Sequence, residues 1–379
     1  MNSQRNHNIR VLHCPTYGAG NPGSLSLAER GLGLVSRSVS IEPPVYRFSI
    51  DNALNPVGNR KIGYILRELL RWPLLLYAAL KADVIHYNFG QTIMPQWYGN
   101  RGNSRLLRFY IRLLEHADLK LLKALGKKLV VTYQGDDARQ GDYCLEHYRL
   151  SAAQFVDDSY YPEDSDDNKR RLIKQVSQYF DRIYALNPDL INVLPSTARF
   201  IPYASVNPDK VNPYFETANE VPLVIHAPTH RGVKGSEFII RAVERLQNEG
   251  VRFNFRLIEN YSHEEAMRLY EKADLLIDQL LVGWYGGLAV ELMALGKPVI
   301  CYIRDEDLVH IPEEMKNDLP VISAEPQNIY ETLKSMLAKS PNELQSLGRQ
   351  SRSYVEKWHH PGRIATILRK DYMSILSIE

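Results

Sequence analysis

Gly283-Trp284-Tyr285-Gly286-Gly287-Leu288-Ala289-Val290-Glu291-Leu292-Met293-Ala294-Leu295-Gly296-Lys297-Pro298-Val299-Ile300 decides how the chain is read. The apolar run Asp274–Asp278 in front of it reads as a strand. A glycine turn follows, then a short helix starting near Gly287, then Gly296 and Pro298 as stop signals before the next strand. Paired glycines let backbone approach a ligand with no side chain in the way. A helix start directs unsatisfied N–H groups and the positive end of its dipole at whatever sits there. Glu291 falls one turn along on the face of Gly287. A diphosphate at the helix start with a hydroxyl pair on Glu291 fits this arrangement.

Outward from this stretch, short apolar runs alternate with amphipathic ones. Strands are expected at Leu223–Ala227, Arg252–Ile258, Asp274–Asp278 and Val299–Ile303. Between them lie a helix over Ser236–Glu249 with Ser236 as its cap, and one over Ser262–Ala273 opened by a Ser-x-x-Glu capping box. The first half repeats the rhythm with strands at Ile9–Cys14, Tyr46–Ile50, Asp83–Tyr87, Leu129–Tyr133 and Arg182–Leu186, and a long helix over Ile62–Ala82. Such alternation implies parallel sheets covered on both faces. The proline-bearing stretch Ile201–Pro222 reads as a linker, so the expected domains are 1–205 and 206–360, with a final helix over 361–379. The chain has 379 residues, which suits two cores better than one.

The central stretch resembles the donor-sugar signature of retaining glycosyltransferases of the GT-B fold, in particular family four. Gly286, Glu291, Met293, Ala294, Gly296, Pro298 and Val299 match that pattern. Its first Glu, which in the family contacts the transferred sugar, is replaced by Gly283, with Asp278 and Gln279 as possible stand-ins. The resemblance implies two doubly wound Rossmann-like domains facing a central cleft, with the last helix crossing back to the first domain. It implies a nucleoside diphosphate sugar as donor, a glycan or lipid-linked acceptor, retention of configuration and a role in polysaccharide or glycoconjugate synthesis. Gly286, Gly287 and Leu288 would bind phosphate through backbone N–H, and Glu291 would hold the ribose.

Other strand ends supply the remaining candidates. His230, Arg231, Lys234 and Gly235 resemble the family's diphosphate-holding element. Lys234-Gly235 matches directly, and Arg231 sits three residues before Lys234 instead of five. Fixed cations there would stabilise the charge that builds on a departing diphosphate. Gln134-Gly135-Asp136-Asp137 resembles a family strand end in which a His sits beside the sugar; Gln134 takes that position. An amide exchanges hydrogen bonds but not protons near pH 7. Asp136 and Asp137 are then the base or acceptor-orienting candidates, although Asp137 also suits a helix cap. The resemblance implies that the glycine-rich first loop with Tyr17, Gly18 and Gly20 would face the donor phosphate and acceptor, and that Asn88 and Gln91 would line the acceptor side. Glu259 ends the strand where the family binds the base. Trp284 and Tyr285 suit stacking on sugar or base, and equally buried packing.

Two other functions stay open. Gly18, Gly20 and Gly23 satisfy Gly-x-Gly-x-x-Gly, with Glu42 near the place of a ribose-binding acid, which would make the chain an NAD(P)-dependent oxidoreductase. A non-catalytic GT-B binding protein is the other. No metal is expected, since neither His-Glu-x-x-His nor Cys-x-x-Cys occurs.

Net charge is only +2, yet residues 60–128 hold thirteen Lys/Arg against four Asp/Glu. Arg101, Arg105, Arg108, Arg112, Lys120, Lys123 and Lys127 interleave there with leucines and isoleucine. That pattern suits an anionic bilayer surface, or a helix with its apolar side in the core and its basic face in water. No nucleic-acid motif accompanies the charge. A polar start and no secretory signal lead to the expectation of a cytoplasmic protein, peripheral on the inner face of the membrane if the basic segment meets lipid. Cys14, Cys144 and Cys301 have no metal spacing and read as reduced, buried thiols. Six carboxylates over Asp157–Asp167 read as a solvated, mobile loop, with closure over a cleft as a lesser reading.

Overall fold

The computed structural model describes residues 8–42, 50–54, 61–96, 105–215, 220–261 and 263–378. They divide into two compact units, the first from 1–140, 163–205 and 361–379, the second from 141–162 and 206–360. The segment Gly141–Pro162, expected in the first domain, belongs to the second unit.

In the first unit, Arg10–Cys14 (β1), Val35–Ser40 (β2), Asn52–Ala53 (β3), Val84–Asn88 (β4), Lys128–Tyr133 (β5), Arg182–Ala185 (β6) and Arg199–Phe200 (β7) form a sheet in the order β3-β2-β1-β4-β5-β6-β7. Every neighbouring pair is parallel. The expected strand at Tyr46–Ile50 lies mostly outside the described residues, and β2 takes its place beside β1. β2 reads Val-Ser-Arg-Ser-Val-Ser, and its serines hide it from an apolar-run search. The order reverses between β1 and β4, which makes their carboxyl ends a ligand-binding crevice.

The final helix, Pro361–Leu376, packs on the helix Asn21–Gly31 of the same unit. Its Tyr372 is fully buried and donates to Glu29 Oε1 at 3.2 Å. His86 Nδ1 lies 2.7 Å from the same phenol oxygen and Nε2 lies 2.7 Å from Thr132 Oγ1. Burial and the neighbouring His13 hold the His86 imidazole well below its ordinary pKa, so it is neutral. With Tyr372 donating to Glu29, His86 Nδ1–H donates to Tyr372 and Nε2 accepts from Thr132. His13 Nε2 and Ser36 Oγ bind Glu29 Oε2 at 2.9 and 2.6 Å.

The long helix is Lys61–Lys81. Leu74, Leu75 and Ala78 sit in the core. Ile65, Leu69, Trp72, Leu76 and Leu80, spaced by three or four residues, form a second stripe that faces solvent, Leu69 at 61% exposure. The helix Arg105–Leu114 buries no residue, and its Leu106, Phe109 and Leu113 are exposed beside Arg105 and Arg112. Of the two readings of the basic segment, these stripes match an apolar face left outside the core. Arg101 lies outside the described residues.

In the second unit, Leu223–His226 (β8), Asn254–Leu257 (β9), Leu275–Ile277 (β10), Val299–Cys301 (β11) and Ile322–Ser323 (β12) form a parallel sheet in the order β12-β11-β10-β8-β9. β8 and β10 pair with Val224 opposite Leu275 and Ile225 opposite Leu276. The order turns around between these two strands, a second crevice at their carboxyl ends. Ser236 is not a cap: Gly235 holds that position, and the Ser236 hydroxyl is 2.7 Å from His226 Nε2. Ser262 of the expected capping box lies outside the described residues, and the helix there is His263–Lys272. The stretch after Val206 is fastened to this unit, with Arg352 donating to the carbonyls of Pro208 and Val211, and Lys297 to that of Tyr214. Residues 216–219 of the expected linker lie outside the described residues. The acidic run ends as helix, since Asp166 and Asp167 open Ser165–Ser177, where carboxylates face the positive dipole end. Cys14, Cys144 and Cys301 are buried and form no disulfide among the described residues.

Tyr372→Phe removes a donor to a buried carboxylate and the acceptor of a buried imidazole. It is expected to cost the first unit about 1–3 kcal/mol in urea unfolding. Ile367→Ala, on the exposed side of the same helix, should stay within about 0.5 kcal/mol.

Candidate active site

The candidate residues fall into two clusters, one in each unit. In the second unit the cluster is centred on Asp278, one residue past β10 and 1% exposed. Its Oδ1 accepts from Lys234 Nζ at 2.6 Å and its Oδ2 from the Gly286 N–H at 2.8 Å. Lys234 ends the short helix Arg231–Lys234 after β8 and is buried. An ammonium has three donors, so two remain on Lys234 beyond the bond to Asp278. The helix Gly287–Ala294 starts next to this pair, and its first N–H groups have no partner within the helix. Gly287, Leu288 and Glu291 are each half-buried.

Glu291 has no hydrogen bond or ion pair with any described residue, and burial pushes its carboxyl up to about 7. His230 caps the Arg231–Lys234 turn by accepting from the Val233 N–H at 3.3 Å, and its ring meets Tyr160 edge-on. Arg231 forks onto Glu259 at 2.8 and 2.6 Å and is half exposed, so the two candidates hold each other instead of converging on Lys234. His226, pushed down to about 4 mainly by burial, is neutral; its Nδ1–H donates to Ile277 O at 2.8 Å and joins β8 to β10.

Two sequence expectations change here. Trp284 and Tyr285 are fully buried, so neither ring offers a face for stacking. The Tyr285 hydroxyl is 2.9 Å from Tyr354 and 2.8 Å from His359. Gln279 is not open to a ligand either, because its amide donates to the Trp284 carbonyl. Gly283 has a φ of +93°, and a β-carbon there would lie 2.7 Å from Arg304 Cζ. Arg304, which no sequence pattern marked, fills that space. It is fixed by Asp307 at 2.7 Å and the Leu150 carbonyl at 3.0 Å, with its guanidinium 3.6 Å from the centre of the Tyr148 ring.

The first unit's cluster lies where β1, β4 and β5 end. A β-carbon on Gly18 (φ +39°) would lie 2.6 Å from Gln134 Nε2. Gln134 is 9% exposed and its Nε2 has no partner among the described residues. Asn88 is more deeply buried, with its Oδ1 likewise unpartnered. Asp137 accepts from the Gln134 N–H at 3.0 Å and the Gly135 N–H at 2.6 Å, so it braces the turn. Burial pushes its carboxyl up to about 6 against those backbone bonds. Asp136 is more open and bonds Arg139 at 3.2 Å. Asn187, also unmarked by the sequence, donates to Gln134 O at 2.6 Å and accepts from Tyr203 at 2.7 Å. Tyr17 starts the loop by accepting from Gly20 N at 2.8 Å, and Gln91 N donates to Asn88 O at 3.4 Å.

No protein-family model matches the chain, and no curated protein matches it by sequence. Solved structures do. Sucrose-phosphate synthase from Thermosynechococcus elongatus superimposes with a TM-score of 0.62 at 15% identity, over 98% of this chain and 99% of that one. The catalytic domain of starch synthase IV from Arabidopsis thaliana, bound to ADP and acarbose, gives 0.57 at 13% over 97% and 99%. Anabaena HepE in complex with UDP-glucose gives 0.56 at 10% over 97% and 100%. The fold is GT-B. Nothing in these likenesses supports the nicotinamide reading, and Glu42, its ribose candidate, is engaged by Arg67 at 2.7 Å.

The Glu291 carboxyl sets a pH test. Its folded value of about 7 lies above the ordinary 4.5, so the folded chain binds the extra proton between those limits. Its contribution to stability is therefore lost as pH rises through that window. Glu291→Gln has no such titration. Its stability relative to the parent should grow between pH 5 and pH 8 in denaturant unfolding; a constant difference would refute the assignment.

Proposed function

We propose that the chain transfers a sugar from a nucleoside diphosphate sugar to a glycan or lipid-linked acceptor, with retention of configuration. The observation that carries this reading is the Lys234 ammonium. It is held by buried Asp278 against the Gly286 turn at a strand-order switch, one helix start from Glu291, which has no partner among the described residues. The Gly286 N–H, expected to bind phosphate, is taken by Asp278, so a diphosphate on the Gly287 and Leu288 N–H groups would receive the two remaining Lys234 donors as leaving-group charge develops. Glu291 would take the ribose hydroxyls, and their hydrogen bonds would favour its ionised form. Gln134 would hold a sugar hydroxyl at the end of β5, with Asp136 as the open carboxylate for an acceptor. Arg231, drawn off by Glu259, would act at the rim of the donor site. No metal enters this reading.

The Gly283 and Gln134 departures favour a second reading, a GT-B protein that binds nucleotide without turnover. A panel of UDP, GDP, ADP, CDP, dTDP, NAD and NADP in thermal-shift binding separates the cases. One nucleoside diphosphate should stabilise the protein. With the matching sugar donor, Lys234→Ala and Glu291→Ala should each lower turnover at least tenfold. Stabilisation by NAD or NADP alone would overturn the proposal, as would unchanged kinetics in both variants. Nucleotide binding with no turnover on any donor would favour the second reading.

The exposed stripes of Lys61–Lys81 and Arg105–Leu114, set among Arg105, Arg108 and Arg112, support docking on an anionic membrane surface in polysaccharide or glycoconjugate synthesis. Sedimentation with vesicles containing anionic lipid should show binding that weakens from 50 to 500 mM salt. Absence of binding at low salt would remove this part.

A further inference from the structure

A cavity of about 990 Å³ opens in the first unit between the two amphipathic helices, at the upper end of the size range of small-molecule sites. Tyr64, Ile65, Leu69 and Trp72 of Lys61–Lys81 form one wall, and Leu107 and Ile111 of Arg105–Leu114 another. The loops after β1 and β4 bring the polar groups of Thr16, Gln91 and Gln96 to the lining, beside Pro15, Met94 and Pro95. These are the loops of the β1/β4 switch point, and Thr16 Oγ1 donates there to the Asn88 carbonyl at 3.3 Å. The charges along the cavity are matched: Arg67 with Glu42 at 2.7 Å, and Arg71 with Glu68 at 2.9 Å. Arg71 also donates to the Ile93 carbonyl at 2.5 Å. The lining thus carries no uncompensated charge that would select an ionic ligand, in contrast with the basic outer surface.

We infer that this cavity takes the apolar chain of an amphiphilic acceptor, whose neutral sugar-like head rests at Thr16 and Gln91 beside the Gly18–Gln134 contact. The inference rests on the glycosyl-transfer reading for its head-group end, and it narrows the acceptor to molecules with a long apolar chain. Polar groups at the sheet end fix where the head lies. The apolar walls include Ile65, Leu69 and Trp72 of the exposed stripe, so a chain in the cavity would border surface that is already apolar. Only solvent-exposed faces of Leu69 and Leu107 would be covered by the chain, and substitutions there leave the core intact.

The test uses n-alkyl β-D-glucosides from hexyl to dodecyl, each below its micelle concentration, titrated into the full chain by calorimetry. Affinity should rise about two- to fourfold per methylene, the strength of apolar burial, and should not change with salt. Leu69→Glu and Leu107→Glu should each flatten that dependence, while Leu27→Glu, exposed on the helix Asn21–Gly31 away from the cavity, should keep it. Affinity independent of chain length in the parent overturns the inference. So does equal chain-length dependence in the parent and both cavity variants. Nucleoside diphosphate binding in the same preparation separates the two claims. Intact nucleotide binding without chain-length dependence sinks the amphiphile site alone. Chain-length dependence without nucleotide binding supports the cavity and sinks the donor reading.

Discussion

Asp278 is the constraint around which the second unit's site is arranged. A buried carboxylate is costly unless a cation and hydrogen-bond donors surround it. Here Lys234 supplies the charge and Gly286 N–H a further donor. Three chain segments, the end of β10, the turn after β8 and the glycine turn before Gly287–Ala294, must meet for that carboxylate to be satisfied. The helix start, the remaining Lys234 donors and the Glu291 carboxyl are thereby brought to one crevice. Glu291 is the opposite case, a carboxyl with no partner among the described residues and pushed up to about 7. Stability alone would favour a neutral side chain at that position, so its retention fits a group kept for a ligand.

The sheets were legible because parallel strands buried on both faces appear as short apolar runs, and nearly every run found in the sequence is a strand within a residue or two. The failures have local causes. β2 is half serine. β3, β7 and β12 have two residues each, too few for any pattern. Ser236 looked like a cap, yet its hydroxyl bonds His226, a partner ten residues away. The compact units change over at 205/206 and 360/361, near Pro202, Pro208 and Pro361, while 141–162 joins the second unit with no proline-rich linker at its start.

Site legibility followed chemistry. Glycines and the Lys-Gly pair were readable because backbone approach and helix starts impose residue type. Long-range partners were not. Nothing near Gly283 in sequence announces Arg304, whose guanidinium takes the space of a side chain at 283. The aromatic pair Trp284-Tyr285 was ambiguous from the start, since one composition serves stacking and packing alike; the Tyr285–Tyr354–His359 contacts resolve it as packing. The Gly283 departure is therefore structural as well as chemical. Reinstating an acid there would meet both a left-handed backbone and an occupied volume, so any recognition of the sugar must come from other groups.

The helix Lys61–Lys81 carries the same reasoning to the first unit. A helix that is apolar on two sides normally belongs inside a core. This one gives Leu74, Leu75 and Ala78 to the core and leaves Ile65, Leu69, Trp72, Leu76 and Leu80 to solvent, while Arg105–Leu114 repeats the exposure with Leu106, Phe109 and Leu113. Single exposed leucines need no explanation, but stripes at helical spacing on two helices beside a cavity do. Among the described residues, nothing covers the outer stripe. On the proposed reading, Arg105, Arg108 and Arg112 would face an anionic surface on the outside, and the balanced charges of the cavity would suit a neutral amphiphile on the inside. One apolar boundary would then serve two ends, holding the protein at a membrane and admitting from it the chain of an acceptor whose head reaches the end of β1.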